Sequence, residues 1–218
     1  MIRYRRRLGR ASFVAALALA LSLGVGAMAS PALAAAAGTP EGLGMLKALQ
    51  NDAALPSVTP PGYDVTVVVF SDYQCPYCRK LHGALKEVLR QDRKVRVVYR
   101  DWPIFGAASV EAARSAMAAR YQGKHAAFND ALMATSGRLD SPAIQSAAQR
   151  AGLDMRRLKA DLATHKAEID GALARTAHYA EALGIAGTPA MVVGSYLLPG
   201  AATAEMLGKA IAIARKPA

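Results

Sequence analysis

An apolar, β-branched run, an amphipathic stretch after it and a second strand pattern beyond that constrain this chain most. Residues 65–71 (VTVVVFS) have the composition of a buried strand, and residues 95–100 (VRVVYR) of a second. Between them, residues 76–91 carry Leu81, Leu85, Val88 and Leu89 at helical apolar spacing. A right-handed crossover through that helix sets the second strand beside the first, giving a β-α-β unit. The turn from the first strand into the helix holds Cys75-Pro76-Tyr77-Cys78, and these are the only two cysteines in 218 residues.

Two thiols spaced C-x-x-C at such a turn can open and close a disulfide without large backbone motion, so redox chemistry is the leading reading. A structural disulfide is the first alternative, but a bridge across two residues removes little entropy from the unfolded chain. Half of a zinc site is the second; structural zinc takes four ligands, and the chain has no second C-x-x-C and no H-x-x-x-H. Cys75 is the expected nucleophile, because the unpaired amides and the dipole of a helix start favour an anion there. Pro76 suits the first helical turn and removes one donor, and Tyr77 adds an aromatic wall; both are expected to tune the pair. Cys78, one turn further in and less exposed, is expected to be the resolving thiol.

Residues 1–34 read as a secretory signal peptide: Arg3, Arg5, Arg6, Arg7 and Arg10, then an apolar run over 11–29, then Ala32-Leu33-Ala34 as a cleavage site. An uncleaved membrane anchor is the rival reading, and Arg5-Arg6-Arg7-Leu8 also fits a twin-arginine signal. The full chain carries +11; without residues 1–34 it has 22 basic and 16 acidic residues, a net +6. Those bases are scattered among acids with no basic stripe and no interleaved aromatics, so no nucleic-acid partner is expected. Export places the thiols in an oxidising compartment, periplasmic or otherwise outside the cytosol.

The rest of the chain divides by pattern. Residues 35–62 form an N-terminal lead, with a short helix over 41–51 and a turn-rich linker at Pro56, Pro60, Pro61 and Gly62. Residues 104–184 read as helices only. One runs from a Ser109 cap to Tyr121, another over 124–136, a third from a Ser141 cap with Pro142 to Gly152, a fourth from an Asp154 cap, and a last over 166–183. Strand character returns at 190–193 and 196–198 around a Gly194-Ser195 turn, and Thr203 caps a terminal helix.

That order, with Phe70-Ser71-Asp72-Tyr73-Gln74-Cys75-Pro76-Tyr77-Cys78 early and Gly184-Ile185-Ala186-Gly187-Thr188-Pro189-Ala190 late, resembles the DsbA-like branch of the thioredoxin superfamily. C-x-x-C is followed by G-T-P about 110 residues later with helices between, and Asp101-Trp102-Pro103-Ile104 looks like the entry to the family's helical insertion. The resemblance implies an α/β thioredoxin fold with an inserted all-helical domain: residues 63–103 as its first half, 104–184 as the insertion and 185–218 as its second half. It implies an exported protein disulfide oxidoreductase, needing no cofactor, that acts on cysteine-containing exported proteins and is recycled by a membrane redox partner. It places Thr188 and a cis Pro189 beside the two sulfurs. There they would bind an extended substrate segment, as in strand addition, and keep a metal off the dithiol.

Direction is divided. The helical insertion and the lack of a long N-terminal dimerisation domain favour an oxidase. Tyr77 and Thr188 look more like the reductases and isomerases of the DsbC/DsbG type. A copper-binding thiol protein is a further alternative, since two thiolates can ligate Cu(I). One departure stands out: relatives often bury an acid six residues before the first cysteine, and here that position is Val69. Asp72 is the nearest substitute, expected to be a solvated or capping turn residue. His82 is expected to pack at the surface, His125, His165 and His178 to be solvated or partly packed, and Trp102, Met117, Met133, Met155 and Met191 to be core.

Overall fold

The structure is a computed structural model that describes residues 39–216. The expected signal peptide over 1–34 and the start of the lead lie outside the described residues. Helix α1 (Pro40–Gln50) and strand β1 (Ser57–Val58) precede β2 (Val65–Ser71), α2 (Pro76–Gln91) and β3 (Val95–Asp101). The helices α3 (Ala107–Ala119), α4 (His125–Met133), α5 (Ser141–Arg150), α6 (Met155–Thr164) and α7 (Lys166–Ala182) follow, with a 3-10 turn at Arg120–Gln122. Strands β4 (Ala190–Val193) and β5 (Tyr196–Pro199) and helix α8 (Ala204–Ala214) complete the chain.

The five strands form one sheet in the order β1-β3-β2-β4-β5. Strand β2 runs parallel to β3 and antiparallel to β4, and it is the sheet's centre. All seven of its residues are buried, which is why it reads as a continuous apolar run rather than an alternating one. Its side chains alternate between two cores. Val68 and Phe70 face a core shared with Leu46 and Leu49 of α1 and with the inserted helices. Val65, Val67 and Val69 face Leu81, Leu85 and Val88 of α2 and Leu207 and Ile211 of α8. Each such valine or phenylalanine contributes roughly 1.5–3 kcal/mol by leaving water, so Phe70→Ala in mid-sheet is the single change that breaks this layer most directly.

Helix α2 starts where its sequence directs. Cys75 takes the N-cap with extended backbone and Pro76 occupies the first helical position. Leu81, Leu85 and Val88, one stripe down the helix, bury against the sheet.

Local differences from the sequence reading have physical causes. The expected linker contains β1, two residues that pair antiparallel with β3. Ser109 does not cap α3: the helix begins at Ala107 after Gly106, whose φ of 96° suits glycine, and Ser109 lies buried in its first turn. That helix stops at Ala119, and the next, expected over 124–136, ends at Met133. Asp140, not Ser141, caps α5 by accepting the Ala143 N–H at 2.9 Å, and the Ser141 hydroxyl donates to Glu111 instead. His125 is buried rather than solvated, tilted against the Tyr99 ring with centroids 5.0 Å apart.

Candidate active site

The end of β2 delivers the chain into a four-residue loop, 72–75, that is held by its own hydrogen bonds. The Cys75 amide donates to the Asp72 carbonyl at 3.1 Å, and the Gln74 amide donates to the Asp72 carboxylate at 2.7 Å. The second contact is an Asx turn, an aspartate side chain standing in for a backbone acceptor two residues on. These bonds set Cys75 at the helix start, where its sulfur accepts the Cys78 N–H at 3.3 Å. The sulfur itself is therefore the helix cap.

The two cysteines are unbonded thiols and both are buried, at 2% and 1% of full exposure. The expected contrast in exposure between them is thus small. From the other end of the chain, the cis Thr188–Pro189 peptide brings the Thr188 carbonyl to 3.3 Å from the Cys75 sulfur, which donates its thiol proton to it. The buried Thr188 hydroxyl makes no geometric hydrogen bond among the described residues. It stands beside the Cys78 sulfur.

Burial pushes the Cys78 thiol well up from its ordinary value; the neighbouring Cys75 sulfur adds to that, while the Asp72 amide and the Thr188 hydroxyl oppose it by favouring the anion. The Asp72 amide lies 3.5 Å from the Cys78 sulfur.

All six residues named from the sequence thus meet at one place. Cys75, Cys78 and Thr188 are joined directly, Pro189 is buried behind Thr188, and Pro76 and Tyr77 are exposed at the helix tip, Tyr77 at 60%. Met191 lies in the core beneath α2 and α8, as expected. Asp72 fits half of its expectation. Its carboxylate caps the Gln74, Ile104 and Phe105 amides and also accepts the Ser109 hydroxyl, but it is 1% exposed rather than solvated.

Sequence reasoning missed a buried polar layer where the inserted helices meet the sheet. The Tyr73 hydroxyl is 3.3 Å from both Asp101 Oδ2 and Asn129 Oδ1. Burial, with the Asp72 charge nearby, raises the Asp101 carboxyl to about 7. Burial lowers His125 to about 3, so its ring is neutral. Also missed was Arg100, fully buried, which donates to the Ala48 and Leu49 carbonyls of α1 and lies 4.8 Å from the Tyr179 ring centroid. One signal was present: Arg100 and Asp101 are charges at the end of a valine-rich strand of a parallel pair, a setting where both faces are usually covered.

Residues 66–212 match the DSBA-like thioredoxin domain. The chain belongs to that family. Among solved structures, it is 41% identical to a thioredoxin-like oxidoreductase from Silicibacter pomeroyi DSS-3, covering 79% of this chain and 98% of that one with a TM-score of 0.75. A periplasmic thioredoxin-like protein from Salmonella enterica serovar Typhimurium is 28% identical, over 78% of this chain and 95% of that one, with a TM-score of 0.67. The catalytic domain of Proteus mirabilis ScsC is 27% identical, over 79% and 96%, also with a TM-score of 0.67. Among curated proteins, the Na(+)/H(+) antiporter NhaA 1 of Salinispora arenicola is 31% identical over 150 residues, 67% of this chain and 22% of the antiporter. The chain thus spans about a fifth of the length of that relative, and no helix among the described residues is long and apolar enough to cross a membrane.

The DSBA-like fold accounts for the architecture: a thioredoxin-type sheet with helices α3 to α7 inserted between β3 and β4. The oxidoreductase relatives and the Cys75–Cys78 pair support a thiol-disulfide oxidoreductase.

Proposed function

We propose that this protein exchanges disulfides with cysteine-containing exported proteins through Cys75 and Cys78, donating its disulfide as an oxidase. One observation carries the reading: the Thr188 carbonyl and the Cys78 amide both meet the Cys75 sulfur, each at 3.3 Å. An amide donor favours sulfur as an anion. The carbonyl accepts the thiol proton until that proton leaves, and is then free to accept from a substrate backbone.

In the oxidase direction a substrate thiolate attacks the Cys75 sulfur of the Cys75–Cys78 disulfide. The new bond forms at Cys75, and the electron pair of the broken bond remains on Cys78. A second substrate thiolate then attacks the substrate sulfur of the mixed disulfide, and Cys75 leaves as a thiolate. The substrate is oxidised by two electrons and the pair is reduced. A membrane redox partner returns the pair to the disulfide.

Each neighbouring residue has a part in this reading. Thr188 and Pro189 bind the substrate segment, with backbone pairing at Thr188 supplying affinity. Pro76 and Tyr77 tune the pair, and exposed Tyr77 gives the substrate a flat apolar wall. The thioredoxin-fold parts, residues 63–103 and 185–218, carry the chemistry, and the helical part, 104–184, covers it. Export through the N-terminal signal delivers the protein to an oxidising compartment, where its Salmonella relative is described as periplasmic.

The test is a pair of variants in a thiol-exchange assay. Cys75→Ser abolishes turnover, and Cys78→Ser accumulates covalent adducts through Cys75. Equal activity of the two variants contradicts the assignment. Direction is tested by the reduction potential: a strongly oxidising couple supports the donor role, and one near that of cytosolic thioredoxin supports a reductase.

A further inference from the structure

Every polar atom of Asp72 is committed. Its carboxylate Oδ1 accepts the Gln74 N–H at 2.7 Å and the Ser109 hydroxyl at 2.7 Å. Oδ2 accepts the Ile104 N–H at 2.7 Å and the Phe105 N–H at 3.1 Å. Its carbonyl accepts the Cys75 N–H, and its amide lies 3.5 Å from the Cys78 sulfur. One residue thus ties together the cysteine loop, the segment after β3 and the first turn of α3. With four donors on two oxygens, the carboxylate has no lone pair left to take a proton from Cys78, so it is not the proton carrier that the position of Val69 leaves wanting.

We propose that Asp72 is a positioning residue for disulfide exchange: its carboxylate locks the loop so that its own amide points at the Cys78 sulfur. This deepens the exchange reading above and rests on it. Cys78 carries negative charge on the reduced side of the step and gains it progressively in the transition state. In one direction it leaves Cys75 with the electron pair of the broken S–S bond. In the other, the Cys78 thiolate attacks the Cys75 sulfur of a mixed disulfide, and the substrate departs as a thiolate that takes its proton from water. A hydrogen bond to a charged group is stronger than one to its neutral form, so an amide aimed at this sulfur speeds the release of Cys78 and, because burial favours the Cys78 thiol, raises the thiolate available for the reverse attack. Besides Cys75 and Thr188, the Asp72 amide is the group that favours or opposes that charge from the loop side of the helix.

The experiment follows the oxidised protein reacting with excess glutathione under stopped flow, and the ionisation of Cys78 in a Cys75→Ser background. Asp72→Asn replaces one acceptor oxygen by an amino group facing N–H donors. It is expected to slow Cys78 release about tenfold (about 1.4 kcal/mol), and to move Cys78 ionisation up by about one pH unit. Ser109→Ala deletes one of the four donors and is expected to act in the same direction by about two- to threefold. The pH midpoint separates positioning from mere stabilisation, since a destabilised but correctly aimed loop leaves it in place. Wild-type rates and an unmoved midpoint in either folded variant overturn the inference while the exchange reading stands. If Asp72→Asn does not fold, Ser109→Ala alone decides between the two outcomes. A wild-type protein that never reacts with glutathione overturns the exchange reading itself.

Discussion

The carbonyl oxygen of Thr188 and the sulfur of Cys75 lie 3.3 Å apart although 113 positions separate them in the chain. The contact exists because β4 pairs antiparallel with β2, with Ala190 opposite Phe70, so the chain just before β4 arrives at the loop just after β2. Local pairing at the sheet centre thereby builds a site from two distant segments.

Thr188 meets the second sulfur as well, through its side chain. Thr188→Val keeps the shape and removes the hydroxyl that favours the Cys78 anion. Losing that polar contact, on the order of 1 kcal/mol and partly offset by the greater nucleophilicity of a less stabilised thiolate, is expected to slow the attack of Cys78 on a Cys75 mixed disulfide about two- to fivefold with the fold intact. Single-turnover kinetics at fixed pH check this; an unchanged rate removes the hydroxyl from the mechanism.

Arg100 holds the N-terminal helix to the sheet. Its guanidinium donates to the last-turn carbonyls of α1, where a cation also suits the helix dipole, and burial lowers its own ionisation to about 10. Arg100→Met fills the space but leaves the buried Leu49 carbonyl unpaired and the half-buried Ala48 carbonyl without its donor. It is expected to cost about 2–4 kcal/mol in urea unfolding, with faster amide exchange concentrated in α1. A uniform rise in exchange across the sheet would show that α1 is not held this way.

The buried polar layer gives stability two opposing pH slopes. Asp101, raised from an ordinary 3.8 to about 7, keeps its proton in the fold while the unfolded chain loses it. Its contribution is therefore complete at low pH and is lost as pH rises from 3.8 to about 7. His125, lowered from 6.5 to about 3, stays neutral in the fold while the unfolded chain takes a proton. Its contribution is complete above 6.5 and is lost as pH falls toward 3. Each slope has a limit of about 1.4 kcal/mol per pH unit. Asp101→Asn is expected to leave a protein whose stability climbs with pH between about 4 and 6.5, and His125→Leu one whose stability falls over the same window. Urea midpoints across that range measure both; parallel curves for the two variants would contradict the account.

Much of this molecule is legible from local signals that agree with one another. The bounds of β2 and α2 follow from a β-branched run, a proline at the first helical position and the spacing of Leu81, Leu85 and Val88. Thr203 and Asp154 cap the helices their positions announce. What stays hidden depends on contacts made across the chain. Strand β1 is two residues long and owes its existence to pairing with β3. Asp72 has the composition of a polar turn, and only donors from residues 104–109 make it a buried anchor. His125 looks like a surface residue at a helix start until Tyr99 covers it. The meeting of the cysteines with the Thr-Pro pair is legible in residue type and order; the polar groups around them are not, because Asp72, Asp101 and Asn129 become neighbours only through the fold.

The central claim is that Cys75 and Cys78 cycle between dithiol and disulfide. Equilibrium titration of the purified protein against mixtures of reduced and oxidised glutathione, with free thiols trapped and counted by mass, tests it most directly. The account predicts a reversible transition in which both thiols disappear together, and its loss in Cys75→Ser and in Cys78→Ser. Two thiols that persist at every buffer ratio would contradict it.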